Sequence, residues 1–385
     1  MSANRVAATL LLLLMTFART AGAAKFSRDY WVYFGTYTDK GSKGIYACRF
    51  HPGNGKLGPV TLVAETRNPS FLAADPASHY LFAANEIGDY QGAKSGSVSS
   101  FAIDRRTGKL TALNTVASRG ADPCHLTVDK TSRHVLAANY TGGSVAVLPI
   151  QPDGKLAEAS DFVQHHGSSV DPERQKEPHA HDVVLTPGDR FAVVADLGLD
   201  HLQVYRYDGQ AGKLTSNEPP YGHVKPGSGP RHFALHPNGR FAYVINEMGN
   251  TITAFDWDGE KGTFNETQTI STLPKDFKGE NSTAELVVHP SGRYLYGSNR
   301  GHDSIAVYAI DPAKGALTLI EIVPTGGKEP RNFALDPTGA WLFAANQNSN
   351  TVVLFRINPR NGRLTLGGQQ LEVLSPVCVT FVAAQ

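Results

Sequence analysis

The chain has 385 residues, with 36 Lys and Arg against 35 Asp and Glu, which gives a formal net charge of +1. This balance argues against a nucleic-acid partner, which would require a basic excess or patch. Hydrophobic residues make up 41% of the chain, which is enough for a packed interior and excludes wholesale disorder. The 38 Gly and 23 Pro are spread along the chain and predict many short elements joined by turns.

The first 24 residues have the pattern of an export signal. Arg5 supplies a short positive region, Val6 to Ala18 are apolar, and Ala21–Ala23 has the small residues of a cleavage site. The apolar stretch is shorter than the roughly 20 residues of a bilayer span, although an uncleaved anchor is the alternative. We therefore expect a removed signal peptide at 1–24 and a single domain at 25–385. The protein would be exported, periplasmic or secreted, with no membrane association after cleavage.

The three cysteines do not form a disulfide framework. Cys48, Cys124 and Cys378 are odd in number and widely spaced, and each lies in an apolar, strand-like setting. We expect buried free thiols, and no Cys-His spacing typical of a metal site is present.

One motif recurs along the chain. Six copies of an 18-residue phrase begin at Pro69, Pro123, Ala180, Pro230, Thr283 and Pro330. Each copy carries an Asn or Asp 16 residues after its first position. A second phrase, an alternating strand that ends in a glycine turn, occurs seven times at spacings of 46 to 58 residues.

A unit of about 50 residues with period-2 alternation and Gly/Pro turns predicts a four-stranded propeller blade. Because one copy of the first phrase is missing, the remaining unit must be split between the termini. Pro376–Val382 would be its inner strand and Trp31–Thr36 the next strand. The expected fold is therefore all-β: a seven-bladed β-propeller of four-stranded antiparallel blades, with the ring closed by N- and C-terminal strands in one blade.

Hairpin geometry places polar residues at one end of the inner hairpins. The turn at Pro237–Arg240 predicts that Arg231 lies opposite Asn246. The same reasoning pairs His181 with Asp196, Arg331 with Asn346, Thr283 with Arg300, and Glu285 with Ser298. The expected channel rim carries Glu86, His125, His181, Asp196, Arg231, His232, Glu247, Glu285, Arg300 and Arg331.

This group of His, Arg and carboxylate side chains in a concave mouth is typical of a hydrolytic site that handles an anion. Arginine binds carboxylate or phosphate bidentately, and a neighbouring carboxylate or imidazole can deprotonate water. A structural interpretation competes with this one. The recurring Asn residues would satisfy strand-end backbone groups, and Arg231 or Arg331 could form an ion pair between blades.

The longest insertion, Gln164–His181, contains four histidines: His165, His166, His179 and His181. The H-x-H pattern on a strand puts two side chains on one face, so a metal site is one interpretation. Since no acidic partner is fixed by the spacing, we instead expect this loop to form one wall of the pocket, with no metal. Motifs for nucleotide binding, serine hydrolases and zinc proteases are absent from the sequence.

Five long motifs in order resemble the seven-bladed propeller lactonase family. This family contains the propeller-type 6-phosphogluconolactonases and the fungal 3-carboxy-cis,cis-muconate lactonizing enzymes. The motifs begin at Phe34, Lys176, Gly227, Ser282 and Pro330. The resemblance extends from about Tyr30 to Val382 and implies chemistry on a lactone ring without a metal or other cofactor.

The resemblance also implies roles for particular residues. The His, two Arg and Glu proposed for catalysis in the muconate branch fall on His181, Arg231, Arg300 and Glu247. From the channel rim and the insertion, and not from the resemblance, we expect further substrate contacts by Glu86, His125, His179, Asp196, His232, Glu285 and Arg331.

The implied activity is hydrolysis of a small anionic sugar-acid lactone, and we expect the protein to be a monomer. The substrate would be 6-phosphogluconolactone or, since the export signal departs from the cytosolic relatives, an unphosphorylated aldonolactone. Two alternatives stay open: a muconate-type cycloisomerase and a non-catalytic propeller that binds a ligand or a protein.

Overall fold

The computed structural model describes residues 28–385, so the predicted signal peptide at 1–24 lies outside the described residues. This part of the chain forms 29 β-strands and three single 3-10 turns, at Tyr90–Gly92, Pro187–Asp189 and Gln347–Ser349. No helix among residues 28–385 is long and apolar enough to cross a membrane.

The strands form seven sheets, or blades, in chain order. The first four strands lie in the closing blade: β1 (Tyr30–Thr36), β2 (Gly44–His51), β3 (Lys56–Leu57) and β4 (Thr61–Glu65). Blade 1 contains β5 (Pro69–Ala74), β6 (Tyr80–Asn85), β7 (Ser97–Ile103) and β8 (Leu110–Ala117). Blade 2 contains β9 (Pro123–Val128), β10 (His134–Asn139), β11 (Ser144–Pro149) and β12 (Asp161–Gln164). Blade 3 contains β13 (Ala180–Leu185), β14 (Phe191–Asp196), β15 (His201–Asp208) and β16 (Lys213–His223).

The remaining strands continue the same order. Blade 4 contains β17 (Pro230–Leu235), β18 (Phe241–Asn246), β19 (Thr251–Asp258) and β20 (Thr263–Ser271). Blade 5 contains β21 (Ser282–Val288), β22 (Tyr294–Arg300), β23 (Ser304–Ile310) and β24 (Leu317–Pro324). Blade 6 contains β25 (Pro330–Leu335), β26 (Trp341–Asn346), β27 (Thr351–Ile357) and β28 (Leu364–Glu372). The last strand is β29 (Pro376–Ala383).

The ring closes through antiparallel pairing of β29 with β1, in which Tyr30 lies opposite Ala383 and Thr36 opposite Pro376. The closing sheet has five strands because its outer edge is divided between β3 and β4, which both pair with β2. The predicted seven-bladed propeller, closed by both termini, is confirmed.

Hydrophobic side chains fill the spaces between successive blades. Phe50 of the closing blade packs edge-on against Phe343 of blade 6, with ring centroids 4.9 Å apart. The repeated glycine turn docks against the neighbouring blade. At Gly315, φ is +67° and a Cβ atom would lie 2.5 Å from the ring of Phe241, so only glycine fits. The three cysteines are buried free thiols, as predicted.

The recurring Asn residues at the ends of the second strands satisfy backbone groups. The side-chain amides of Asn85, Asn139 and Asn299 donate to the carbonyl oxygens of Arg67, Ser118 and Thr272, respectively. These contacts confirm the structural interpretation for these three positions.

The predicted register of the inner hairpins is correct near the turns and wrong at the end that carries the polar residues. In blade 4, His232 pairs with Ile245, but Pro230 and not Arg231 lies opposite Asn246. Arg231 is therefore the extra residue of a β-bulge. Counting residues from the turn assumes one-to-one pairing and does not allow for such a residue.

The other predicted pairs require the same correction. Ala180 replaces His181 opposite Asp196, and Pro330 replaces Arg331 opposite Asn346. In blade 5, Ser282 replaces Thr283 opposite Arg300. Glu285 and Ser298 also lie in a bulge, where the Glu285 N–H donates to Ser298 Oγ at 2.9 Å.

Candidate active site

Every inner strand has this irregularity at the same end, which brings two consecutive side chains per blade to the channel. The bulge positions are Ser70, Cys124, His181, Arg231, Ala284, Arg331 and Val377. The positions that follow are Phe71, His125, Asp182, His232, Glu285, Asn332 and Cys378. The His232 ring lies 5.4 Å from that of His125 and 6.2 Å from that of Phe71. Since these residues belong to blades 4, 2 and 1, side chains of the second set fill the channel and form the floor of the site.

Glu247, directly after β18, is surrounded by three arginines. Its Oε2 lies 2.7 Å from Arg300 Nη2 and 3.0 Å from Arg231 Nε, and its Oε1 lies 2.8 Å from Arg174 Nη2. Burial opposes ionisation, but the charges of Arg300 and Arg231 hold the pKa of Glu247 well below its ordinary value of 4.5. Glu247 is therefore a carboxylate at neutral pH, and a weak proton acceptor.

The floor fixes the direction of Arg231. Its Nη1 donates to Ala284 O at 2.8 Å and lies 3.1 Å from His232 Nε2. Because arginine only donates, Nε2 must accept, and the proton of the neutral imidazole is on Nδ1, 2.9 Å from Glu285 Oε1. Burial and the charges of Arg300 and Arg331 lower the pKa of Arg231 to about 10, so it remains charged at neutral pH.

Glu285 fixes the position of His232, which in turn contacts Arg231. Its carboxyl group also accepts from the side-chain amide of Asn332 and from the Leu286 N–H, the latter at 2.9 Å. Burial raises the pKa of Glu285 to about 7, although the charge of Arg231 acts in the opposite direction. Blades 4, 5 and 6 are thereby joined beneath Arg231. No acceptor within residues 28–385 bonds to Nη2 of this arginine.

His181 is a neutral imidazole at the same depth. Burial, and then the charges of Arg231 and His232, lower its pKa well below the ordinary value of 6.5. Nδ1 lies 3.6 Å from Cys124 Sγ, whereas Nε2 has no hydrogen-bond partner in the described part of the chain. A neutral imidazole with an available nitrogen can accept a proton from water.

Arg331 also lies at the mouth, next to Tyr37 and Glu86. Its guanidinium group is 5.4 Å from the ring centre of Tyr37, and its Nη2 is 4.0 Å from Glu86 Oε1. The Tyr37 hydroxyl donates to Glu86 at 2.9 Å. Burial disfavours the charge of Arg331, but Tyr37 and Glu86 raise its pKa above the ordinary value. Within residues 28–385 this guanidinium group makes no hydrogen bond, so it can receive an anion.

The insertion between blades 2 and 3 forms one wall of the site. Its turn is held by Ser169 Oγ, which donates to Asp200 Oδ2 at 2.6 Å, and by the buried Gln175, which donates to Leu197 O at 2.8 Å. This turn carries Arg174 to the mouth, where it contacts Glu247 and donates to the hydroxyl oxygen of Tyr140 at 3.1 Å.

The structure brings most of the predicted site residues together. His181, Arg231, Glu247 and Arg300 form one group, next to Glu86 and Arg331 and above His125, His232 and Glu285. His179 lies at the wall, stacked on Tyr140.

Asp196 differs from these residues. It is fully buried, with Oδ2 2.6 Å from His165 Nδ1 and Oδ1 accepting the His179 N–H at 2.8 Å. Both of its oxygens are used by the protein, so Asp196 anchors the insertion behind the site and does not line the mouth.

Sequence reasoning missed several members of the site. Tyr37 and Tyr140 directly follow the recurring Thr or Asn, as Glu247 and Arg300 do in their blades, so the repeat alignment contained the signal. Arg174 belongs to a non-repeating insertion and had no such signal. Asp182 and Asn332 occupy floor positions whose orientation depends on the bulges.

Within residues 28–385, no group of three or more His, Cys, Asp or Glu side chains has an arrangement that could hold a metal ion. Metal-independent chemistry stays a prediction.

Comparisons with known proteins agree on the fold and point to one chemistry. Residues 31–381 match the family profile described as "Lactonase, 7-bladed beta-propeller". The 6-phosphogluconolactonase of Bacillus subtilis (strain 168) is 38% identical over 305 residues, which is 79% of this chain and 84% of that protein. The 6-phosphogluconolactonase of Formosa agariphila is 32% identical over 310 residues, or 79% and 86% of the two chains. The solved structure of the periplasmic gluconolactonase of Pseudomonas aeruginosa is similar with a TM-score of 0.87 and 36% identity, and the match covers 93% of this chain and 100% of that one.

Proposed function

The chain belongs to the seven-bladed β-propeller lactonase family, and from this premise we propose that it hydrolyses a sugar-acid lactone without a metal. The observation that carries the proposal is the neutral His181, with an available Nε2, beside an Arg231 whose Nη2 has no acceptor in the described chain. A base for water and a donor for the developing oxyanion are the groups that ester hydrolysis requires.

In this mechanism His181 Nε2 accepts a proton from water as the water oxygen attacks the lactone carbonyl. The oxyanion that forms is stabilised by the charge of Arg231. Glu247 is a weaker candidate for the base, because both of its oxygens already contact arginines. Its role is to hold those two arginines in position.

The position of Arg331 favours an anionic substrate. A guanidinium group without a protein acceptor suits a phosphate or a carboxylate, both of which it can bind bidentately. The substrate that this favours is 6-phosphoglucono-1,5-lactone, and an unphosphorylated aldonolactone is the alternative within the same reaction.

We also infer that the protein acts outside the cytoplasm, as a monomer in the periplasm or the medium. The export pattern of residues 1–24 supports this location, and the structurally similar Pseudomonas aeruginosa protein is described as periplasmic. Fractionation of cells that express the full chain would test it, and recovery only with the cytoplasmic fraction would contradict it.

The test of function is a comparison of three substrates. Proton release would be measured with phosphorylated and unphosphorylated glucono-1,5-lactone, and ring formation with 3-carboxymuconate, each against buffer and against Arg231→Ala. A rate above both controls on either lactone would support the proposal. Conversion of carboxymuconate alone would indicate a cycloisomerase. No excess rate on any substrate would favour a binding propeller.

A second assay would test whether Arg331 binds the phosphate group of the substrate. If Arg331 binds it, Arg331→Met will lower kcat/KM about a hundredfold on the phosphorylated lactone and much less on the unphosphorylated one, since a charged hydrogen bond is lost only in the first case. Arg293→Met, at an exposed hairpin turn of blade 5, is the matched control. Equal losses on both lactones would contradict this role.

A further inference from the structure

Tyr140 stands directly after β10, and its ring is fixed between two imidazoles. It is stacked on His179 with centroids 4.5 Å apart and an angle of 14° between the planes. It meets His181 edge-on, with centroids 5.3 Å apart. The Tyr140 ring therefore lies beside the proposed base and has little freedom to move.

The hydroxyl of Tyr140 lies in the mouth of the site. Its oxygen accepts from Arg174 Nη2 at 3.1 Å, and the same nitrogen is 2.8 Å from Glu247 Oε1. A phenol can accept and donate at the same time. In the described part of the chain the O–H of Tyr140 donates to no protein group, so the site contains an unused proton donor.

Opening of a lactone ring requires such a donor. The leaving group is an alkoxide, which is expelled readily only when its oxygen receives a proton. Glu247 is ionised and has no proton to give, and Arg231 is already assigned to the oxyanion. Burial raises the pKa of Tyr140, and the hydrogen bond and charge of Arg174 oppose this rise. The phenol therefore keeps its proton at neutral pH, and Arg174 can stabilise the phenolate that forms when the proton is transferred.

We propose that Tyr140 is the general acid of the reaction and protonates the ring oxygen of the lactone. This inference rests on the proposed lactone hydrolysis. His181 takes one proton from water as the new C–O bond forms. The ring C–O bond then breaks, its electron pair stays on the ring oxygen, and the Tyr140 proton moves to that oxygen. The proton on His181 returns to the phenolate, directly or through water, so the products are the hydroxy acid and an unchanged enzyme.

The test separates acid catalysis from binding by changing the leaving group. Tyr140→Phe keeps the stacked ring and removes only the hydroxyl. The substrates are D-glucono-1,5-lactone and its analogue with sulfur as the ring atom, whose thiolate needs no proton to leave. We expect kcat to fall about a hundredfold on the oxygen lactone and less than about threefold on the sulfur analogue, as for a lost general acid. The melting temperature should stay near that of the wild type.

Two further variants exclude simpler explanations. If Tyr140 only positions Arg174, then Arg174→Met and Tyr140→Phe will show the same losses on both substrates. Tyr37→Phe removes the hydroxyl at the equivalent position of the closing blade, where it already donates to Glu86, and should change both rates by the same factor.

Three results would overturn the general-acid role of Tyr140 while leaving the proposed function intact. They are equal losses for Tyr140→Phe on both lactones, no loss for Tyr140→Phe on either lactone, and losses for Arg174→Met that match those of Tyr140→Phe on both lactones. A wild-type enzyme with no excess rate on either of these lactones, and none on 6-phosphoglucono-1,5-lactone, would contradict the proposed function itself.

Discussion

Arg231 donates from Nη1 to Nε2 of His232 at 3.1 Å, although the two residues are neighbours in the chain. In a regular strand their side chains would point to opposite faces. The β-bulge at Arg231 turns both of them towards the channel, and the same irregularity occurs in every blade. The site therefore consists of two layers, one with Arg231 and one with His232, that are in direct contact.

The first prediction follows from this contact. Arg231→Ala should lower kcat/KM for lactone hydrolysis by about a hundredfold, which is typical for a lost oxyanion donor. Initial rates above buffer would be measured for the variant and for Arg240→Ala, the exposed arginine at the other end of the same hairpin. A loss below about threefold in Arg231→Ala, or an equal loss in both variants, would remove Arg231 from the mechanism.

The ring, the closing blade and the strand-end amides could be predicted because they repeat. The same turn occurs seven times, so an exception in one copy does not hide the pattern, and Gly315 is required by its contact with Phe241 of the neighbouring blade. Most charged residues of the mouth could also be identified, because they occupy positions at which the residue type changes from one copy of the repeat to the next.

The bulges could not be predicted, because one extra residue in a strand leaves no mark in an alternating pattern when both neighbours are polar, as Arg231 and His232 are. Arg174 was missed for a different reason. It is one of many charges in an insertion without a repeat, and only the anchoring of Ser169 and Gln175 directs it to Glu247.

The second prediction concerns pH and the base. His181 acts as a base only when neutral, and its pKa is lowered well below 6.5, so the neutral form persists as the pH falls. In Glu285→Gln, which lacks the nearby group with a pKa of about 7, kcat/KM should be constant from pH 8 to 6.5 and decline only below that range. Rates corrected for spontaneous hydrolysis in each buffer would show this. An acid limb centred at or above 6.5 would contradict the assignment, as would an unchanged profile in His181→Gln.

The third prediction concerns stability and Glu285. Burial raises its pKa to about 7 from an ordinary 4.5, so the folded protein keeps a proton that the unfolded chain releases between these values. The stabilisation from this proton is complete below pH 4.5 and is lost as the pH rises through 7.

Glu285→Gln cannot ionise, and its unfolding midpoint in urea should fall less between pH 5 and pH 8 than that of the wild type. Glu266→Gln on the exposed face of β20 should follow the wild-type curve. Parallel curves for wild type and Glu285→Gln would show that Glu285 is ionised throughout this range.

The fourth prediction tests ring closure. Deletion of residues 376–385 removes β29, which leaves β1 with an unpaired edge and removes the bond from Val379 N–H to Asn332 Oδ1. The truncated chain should show no cooperative thermal transition by circular dichroism. Deletion of Ala384 and Gln385 alone keeps β29 and should change the melting temperature little. An unchanged transition after the longer deletion would contradict closure by the terminal strands.

The last prediction concerns metal ions. Arg231, Arg300 and Arg331 place three positive charges in one mouth, where a divalent cation would be repelled and where they already supply the potential that a Lewis acid provides. Prolonged chelation followed by assay in metal-free buffer should therefore leave lactone hydrolysis within about twofold of the untreated rate, a change too small for the loss of a Lewis acid. Arg231→Ala, treated in the same way, shows how a genuine loss appears in this assay. Restoration of a chelated, inactive sample by calcium or zinc would make the arginine-based mechanism wrong, and His179, His181 and Glu285 would then be the ligands to test.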